Sequence, residues 1–271
     1  MIAGAPRSPV AVPAAVRRAA EAHTGRGTAI QAVWENEIGS ITFEVTGATD
    51  RCFVKWAAAG MPVDLTVEAA RMTWAVQYHS VPIPLEVGTD TSGSWLVTAA
   101  LDGLSAVDAR WLAEPRTAVV GIGEGLRALH EALPVASCPF SWSVAERVTT
   151  ARARAESGHQ VPARWHPEHR HLSVAAALAL LDDAPPADDV VVCHGDSCAP
   201  NTLLDDDGRW SGHVDLGSLG VADRWADLAI ATWSTTWNYG PEWESLLLDA
   251  YGIAADRDRI RFYRLLWDLD D

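Results

Sequence analysis

The chain has 271 residues, 48% hydrophobic and 21% charged, the composition of a soluble globular protein with room for one large domain or two lobes. Its 21 Lys and Arg against 36 Asp and Glu leave a formal charge of −15, which argues against nucleic acid as a partner, since a phosphate backbone is bound by basic surface. Four irregularly spaced cysteines, an N-terminal stretch that soon carries Arg17, Arg18 and Glu21, and no uninterrupted apolar window of membrane-spanning length argue against a disulfide framework, a secretory leader and a membrane partner, so the expected compartment is cytoplasmic.

An Ala- and Pro-rich arm leads into a short helix near residues 13–23. The runs AIQAVWENEIG, SITFEVTG and RCFVKWAA then read as strands, separated by the turn residues Gly39, Ser40, Gly47 and Asp50. In DLTVEAARMTWAVQ the apolar positions Leu65, Ala69, Met72 and Val76 recur at helical spacing. Two more strands, IPLEVGT and SWLVTAA, are joined by the turn-prone DTSG. From Ser105 the texture becomes helical, with SAVDARWLAE, RTAVVGIGEGLRALHEAL and SWSVAERVTTARARAE. An irregular polar segment, SGHQVPARWHPEHRH, precedes another helix to about Leu181, and three helices close the chain.

The expected fold class is therefore α+β: a five-stranded antiparallel N-lobe sheet with one inserted helix, then a mostly helical C-lobe. The expected boundaries are 1–100 for the N-lobe, with 1–28 as arm and first helix, 101–104 for a hinge and 105–271 for the C-lobe.

The chemistry gathers at residues 190–204, VVVCHGDSCAPNTLL. Asp196 follows the end of a strand, where a loop exposes it, and Asn201 stands five positions on. Asp215 ends the return strand WSGHVDLG, and Gly217 permits a bend that aims its carboxylate outward. Two strands joined by DDDGRW bring Asn201 and Asp215 close enough to share a metal ion. Hard oxygen donors of this kind suit Mg²⁺, and a carboxylate beside them suits the acceptor hydroxyl in phosphoryl transfer.

HGDSCAPN followed by HVDLG resembles the catalytic and metal-binding loops of the protein-kinase-like fold, H-R-D-x-x-x-x-N and D-F-G. The longer string VCHGDSCAPNTLLDDDGRWSGHVDLGSLGVADRWADLAI is similar to the aminoglycoside 3′-phosphotransferases, as are CPF at 138–140 and RFYRLL near the end. The resemblance implies a kinase that moves the γ-phosphoryl of ATP or GTP to a hydroxyl of a cationic antibiotic, the 3′-OH above all. Asp196 would be the catalytic base, and Asn201 and Asp215 the Mg²⁺ ligands. Lys55 would hold the α/β-phosphates and pair with Glu68. The turn at Gly39 and Ser40 would cover the phosphates, backbone groups of Thr98–Leu101, with Thr98 and Ala100 among them, would receive the adenine, and Asp227 would fix the catalytic loop. The alternatives are a streptomycin 3″-type or other small-molecule hydroxyl kinase, and a kinase-like module that binds nucleotide without turnover.

Other features have blander explanations. GIGEG at 121–125 mimics a phosphate loop, but it follows no strand and lacks Gly-Lys-Ser/Thr, so close helix packing explains it. His159, His166, His169 and His171 sit in a Pro-containing loop without Cys partners and read as a solvated insertion rather than a metal site. Acidic residues for a polycationic acceptor are offered by Asp268, Asp270 and Asp271 of the tail and by Glu156. Of the thirteen tryptophans, those in the second half read mainly as core, with stacking on a saccharide as the rival role.

Overall fold

The computed structural model describes residues 4–36 and 38–270. The chain divides into two compact units, Met1–Leu101 and Asp102–Asp271.

In the first unit, helix α1 (Ala14–Thr24) precedes strands β1 (Ala29–Glu35), β2 (Ile41–Thr46) and β3 (Arg51–Ala58). Helix α2 (Leu65–Ala75) is inserted before β4 (Pro84–Asp90) and β5 (Gly93–Ala99). The strands form one antiparallel sheet in the order β1-β2-β3-β5-β4. The alternation that marked these runs as strands is the alternation of the sheet's faces. Phe43, Val45, Cys52, Val54 and Val97 turn to one side, where they pack with Val16, Ala19 and Ala20 of α1. Both expected helices are present, and α1 is more than an arm element, because it covers apolar residues of one sheet face that would otherwise meet water. The arm before it is also tied down: Gly4 and Glu35 exchange both backbone hydrogen bonds, at 3.0 and 2.8 Å.

The second unit opens with β6 (Leu104–Ser105), α3 (Ala109–Ala113), α4 (Pro115–Ala132), α5 (Val144–Glu156) and α6 (Val174–Leu180). There follow β7 (Val190–Cys193), β8 (Thr202–Leu204), β9 (Trp210–His213), β10 (Gly220–Asp223), α7 (Trp225–Tyr239), α8 (Glu244–Tyr251) and α9 (Arg257–Asp270). Strand β7 does not pair with the hairpin that follows it. It pairs antiparallel with β10, while β6, β8 and β9 make a separate sheet. Helix α7 lies at the centre, buried at every position from Trp225 to Thr235, as a helix apolar nearly all round must be.

The glycines of GIGEG are a packing device of α4. A Cβ on Gly121 would lie 2.6 Å from Leu204 Cδ2, one on Gly123 2.6 Å from the Leu247 carbonyl oxygen, and one on Gly125 2.9 Å from Trp210 Cβ. Three neighbouring elements approach the α4 backbone through these gaps.

The polar segment after α5 is solvated over most of its length, as expected, with His159 and His171 exposed, but it is anchored at two buried points. Trp165 is 4% exposed and His169 9%. Gln160 Nε2 donates to the Leu269 carbonyl, Trp165 Nε1 to Gln160 Oε1 at 3.1 Å, and Arg170 Nε to the Trp165 carbonyl at 2.6 Å. At these points its polar side chains meet one another and two backbone carbonyls, contacts that a composition count does not distinguish from contact with water.

Candidate active site

Gly195 follows the first residue after β7 with φ 83°, and a Cβ there would lie 2.2 Å from the Ser218 carbonyl oxygen. Only glycine combines the left-handed backbone with that approach, which accounts for Gly between His194 and Asp196. Two backbone donors at this turn would be orphaned without Asp227 of α7. Its carboxylate accepts from His194 N at 2.6 Å and Gly195 N at 2.9 Å, and its Oδ2 takes a third bond from His130 Nε2 at 2.9 Å. Burial raises the Asp227 pKa, but the His130 bond and the neighbouring His130 and His194 rings outweigh it and hold the carboxyl below its usual range. Since Nε2 of His130 donates, Nδ1 accepts from the Tyr251 hydroxyl at 2.9 Å. Burial pushes that phenol up to about 12, so it keeps its proton.

The rest of the loop hangs on the same helix. Ser197 Oγ donates to the Asp227 carbonyl at 2.7 Å, and Ala199 N donates to Ser234 Oγ at 2.8 Å. Asp196 N donates to His194 Nδ1 at 3.2 Å, so the other nitrogen, Nε2, donates to the Val214 carbonyl at 3.0 Å. One imidazole tautomer therefore ties the Asp196 backbone to the residue before Asp215.

The hairpin supplies the remaining oxygens. The pairing Thr202↔His213, extended by Val214 N to the Asn201 carbonyl at 2.9 Å, sets Asn201 across from the end of β9. Asn201 Nδ2 donates to the Asp196 carbonyl at 2.9 Å, which leaves the amide oxygen as the ligand end of the side chain. Asp215 has φ 62°, the one positive φ outside glycine among the described residues. The bend expected at Gly217 therefore lies at Asp215 itself. A left-handed residue of this kind costs about 1–2 kcal/mol, and such strain collects where a side chain has to be aimed.

Asp196 Oδ1 is buried with no hydrogen-bond partner. Burial first, and the charge of Asp215 second, push the Asp196 pKa up, against the pull of His194, Cys198 and Asn201. An acceptor oxygen without a donor costs about 1–3 kcal/mol, a cost that a hydrogen-bond donor or a cation at this oxygen would relieve. Two carboxylates that repel each other, beside an amide oxygen, form a hard-oxygen set that fits a divalent cation such as Mg²⁺. Elsewhere His130, Cys193 and Asp227 bring ligand-type atoms within 4.8 Å of one another. There the carboxylate is already saturated by three donors, which leaves no open ligand position.

In the first unit, Lys55 Nζ lies 2.9 and 3.2 Å from the two carboxylate oxygens of Glu68. Strand β3 presents Lys55 beside Leu96, and Glu68 sits in the first turn of α2, where the helix dipole favours an acid. Asp64 caps that helix by accepting from Thr66 N and Val67 N. In the β1–β2 turn Gly39 has φ 90°, Ser40 N donates to Asn36 Oδ1 at 2.8 Å, and the buried Ser40 Oγ has no partner. Thr98 lies inside β5 opposite Phe53 and Pro84, while Ala100 N donates to the Arg51 carbonyl at 3.2 Å. The Leu101 carbonyl accepts from Arg51 Nη2 at 2.7 Å.

The nominated acceptor-side acids fall in different surroundings. Asp268 accepts from His166 N at 3.1 Å and meets His169 Nδ1 at 2.6 Å, so its carboxylate binds the 157–173 segment. Asp270 is paired with Arg147 through bonds of 2.6 and 3.1 Å. Glu156 lines a shallow groove with Arg152 and Asp182. Asp271 lies outside the described residues. His130 and Ser234 were not singled out from the sequence, since a lone histidine or serine on an apolar helix face carries no signal of its own.

A profile of the phosphotransferase enzyme family matches residues 29–263. The chain is 36% identical over 252 residues to the aminoglycoside 3′-phosphotransferase of Streptomyces fradiae, covering 87% of this chain and 92% of that protein. It is also 36% identical over 246 residues to the streptomycin 3″-kinase of Streptomyces griseus, covering 86% and 89%. Among solved structures, an aminoglycoside-3′-phosphotransferase of type VIII superposes with TM-score 0.78 at 34% identity, covering 93% of this chain and 98% of that one. The aminoglycoside phosphotransferase APH(3″)-Id of Streptomyces rimosus, in complex with ADP and streptomycin, superposes with TM-score 0.69 at 32% identity, covering 85% and 90%.

Proposed function

This chain belongs to the aminoglycoside phosphotransferase family, and from that premise we propose that it moves the γ-phosphoryl of a nucleoside triphosphate to a hydroxyl of an aminoglycoside, the 3′-OH first, and so confers resistance. The observation that carries the reading is the convergence of Asp196, Asn201 and Asp215 within one strand-loop-strand unit, with Asp196 Oδ1 buried and lacking a donor.

Asp196 is the base in this reading. Its free oxygen accepts the hydrogen bond of the acceptor hydroxyl and takes the proton as the new O–P bond forms and the bond to the leaving nucleoside diphosphate breaks. Asn201 Oδ1 and the Asp215 carboxylate are the ligands for Mg²⁺, which when bound neutralises phosphate charge. In this reading Lys55, oriented by Glu68, would hold the α/β-phosphates, and the turn at Gly39 and Ser40 would cover them. Thr98 and Ala100 line the adenine side.

A second reading, a streptomycin 3″-type kinase, is favoured by the equal 36% identity to the Streptomyces griseus enzyme. A nucleotide-consumption assay over an acceptor panel, with ATP and GTP as donors, separates the two by the product each acceptor gives. Asp196→Asn is expected to lower turnover by about 10²–10⁴ with nucleotide affinity held, and chelation of divalent cations to abolish it reversibly. Full activity in Asp196→Asn removes the base from its role.

No helix among the described residues is long and apolar enough to cross a membrane.

A further inference from the structure

Aromatic side chains do two jobs in a saccharide-modifying protein: they fill a core, or they offer a face to a ring. Of the thirteen tryptophans, all among the described residues, Trp237 alone is exposed, at 45%. It does not stand by itself. Trp233, one helical turn earlier on α7, lies 5.2 Å away between ring centroids and is buried at 1%. The imidazole of His166 covers Trp233 at 4.1 Å and lies 6.3 Å from Trp237. Three rings thus form a ladder whose outermost rung faces water.

The position of the ladder is set by the catalytic loop's own anchor. Ser234, which receives Ala199 N of that loop, is the immediate neighbour of Trp233 and lies three residues before Trp237, hence on an adjoining part of the same helix face. Asn238, next to Trp237, donates to Ser234 Oγ at 3.1 Å. The backing is rigid: His166 is held through its backbone N by Asp268, and Arg264 lies over Trp233 at 5.3 Å. Packing of its inner edge against Trp233 limits the rotamers of the exposed indole before any ligand arrives, which lowers the entropic cost of binding.

The charge around the ladder completes the case. Arg264 meets both Glu244 at 3.0 Å and Glu168 at 3.9 Å, so two carboxylates share one guanidinium and one negative charge is left in excess, with Glu168 half exposed. Burial pushes the pKa of His166 down, so the ring under the indoles is neutral and adds no repulsion toward a cation. By contrast, Asp268 and Asp270, the acids that the tail offers, are bound to His169 and Arg147.

We propose that the indole of Trp237, backed by Trp233 and His166, is the platform on which a ring of the cationic sugar acceptor stacks, with Glu168 and Glu244 as its acidic rim. Acceptor selection in this chain then comes from an aromatic face more than from a wall of tail carboxylates. The inference rests on the acceptor being an aminoglycoside, as argued above.

The test compares wild type, Trp237→Ala and Trp237→Phe, with streptomycin and with an aminoglycoside that carries a 3′-hydroxyl. Because Trp237 is exposed, neither variant removes core. Stacking of this kind predicts an acceptor KM raised about tenfold in Trp237→Ala and restored to within about threefold in Trp237→Phe, with kcat and nucleotide KM unmoved. An acceptor KM unchanged in Trp237→Ala, with wild type active, overturns the platform and leaves the kinase reading standing. Equal loss in both variants overturns it as well, since an aromatic ring would then be insufficient. A wild-type protein that turns over no aminoglycoside overturns the functional reading, and the platform with it.

Discussion

Gly195→Ala probes the catalytic loop without touching a group that meets substrate. The added methyl would sit 2.2 Å from the Ser218 carbonyl oxygen, 2.5 Å from its carbon and 2.6 Å from its Cβ. Two of those three atoms are backbone, so no side-chain rotation relieves the overlap, and the loop or the strand entry at Ser218 has to move. Overpacking of a tight site costs about 1–3 kcal/mol, and the left-handed φ of 83° adds about 1–2 kcal/mol for a residue with a Cβ. A loss of about 3 kcal/mol predicts a melting temperature lower by about 6–12 °C for a domain of this size. Activity should fall further than stability alone explains. A shift of about 1 Å at Asp196 costs about a hundredfold in turnover, and Asp196 is the next residue. Thermal denaturation and acceptor-saturated kinetics on the same preparation measure both effects. A variant that melts within 1–2 °C of wild type, roughly the scatter expected of a neutral surface change, and turns over at more than half its rate refutes the account of why glycine stands there.

Lys55→Met removes the ammonium that lies 2.9 Å from the buried Glu68 carboxylate, itself 5% exposed. It should cost about 3 kcal/mol in stability and raise the nucleotide KM at least about tenfold, whereas Lys55→Met with Glu68→Gln regains most of the melting temperature and none of the nucleotide affinity. Because Asp227 has its folded pKa below the unfolded value of 3.8, its contribution is present above about pH 4 and is lost as pH falls through the folded pKa. Tyr251 works at the other end: raised from 10.0 to about 12, it contributes fully below pH 10 and loses that contribution as pH climbs toward 12. Melting curves from pH 2 to 11 should therefore lose their acid-limb slope in part in Asp227→Asn and their alkaline-limb slope in part in Tyr251→Phe, and unchanged limbs would count against the buried network.

Much of this molecule could be read along the chain. The five sheet strands announced themselves by alternation, α2 by the spacing of Leu65, Ala69 and Met72, and the hairpin by DDDG, because each of those patterns is local. The oxygen-bearing side chains of the candidate site were legible for a similar reason: Asp196, Asn201 and Asp215 are close in sequence, and one loop and one hairpin suffice to bring them together. Residue type and interval were enough to name the chemistry such a set supports.

What only the tertiary structure decided lies at long range. The partner of β7 is β10 rather than the adjoining hairpin, and the carboxylate that orders the catalytic loop meets a histidine 97 residues away. The bend that aims Asp215 falls on Asp215, and the largely exposed histidine-rich segment is pinned to α9 through Asp268. Which of thirteen tryptophans is left with an open face was likewise undecided until α7, α9 and that segment were packed together. Periodicity and turn chemistry record what a residue needs from its near neighbours. Burial, hydrogen-bond saturation and strain depend on which distant segments arrive beside it, and no short window of sequence carries that information.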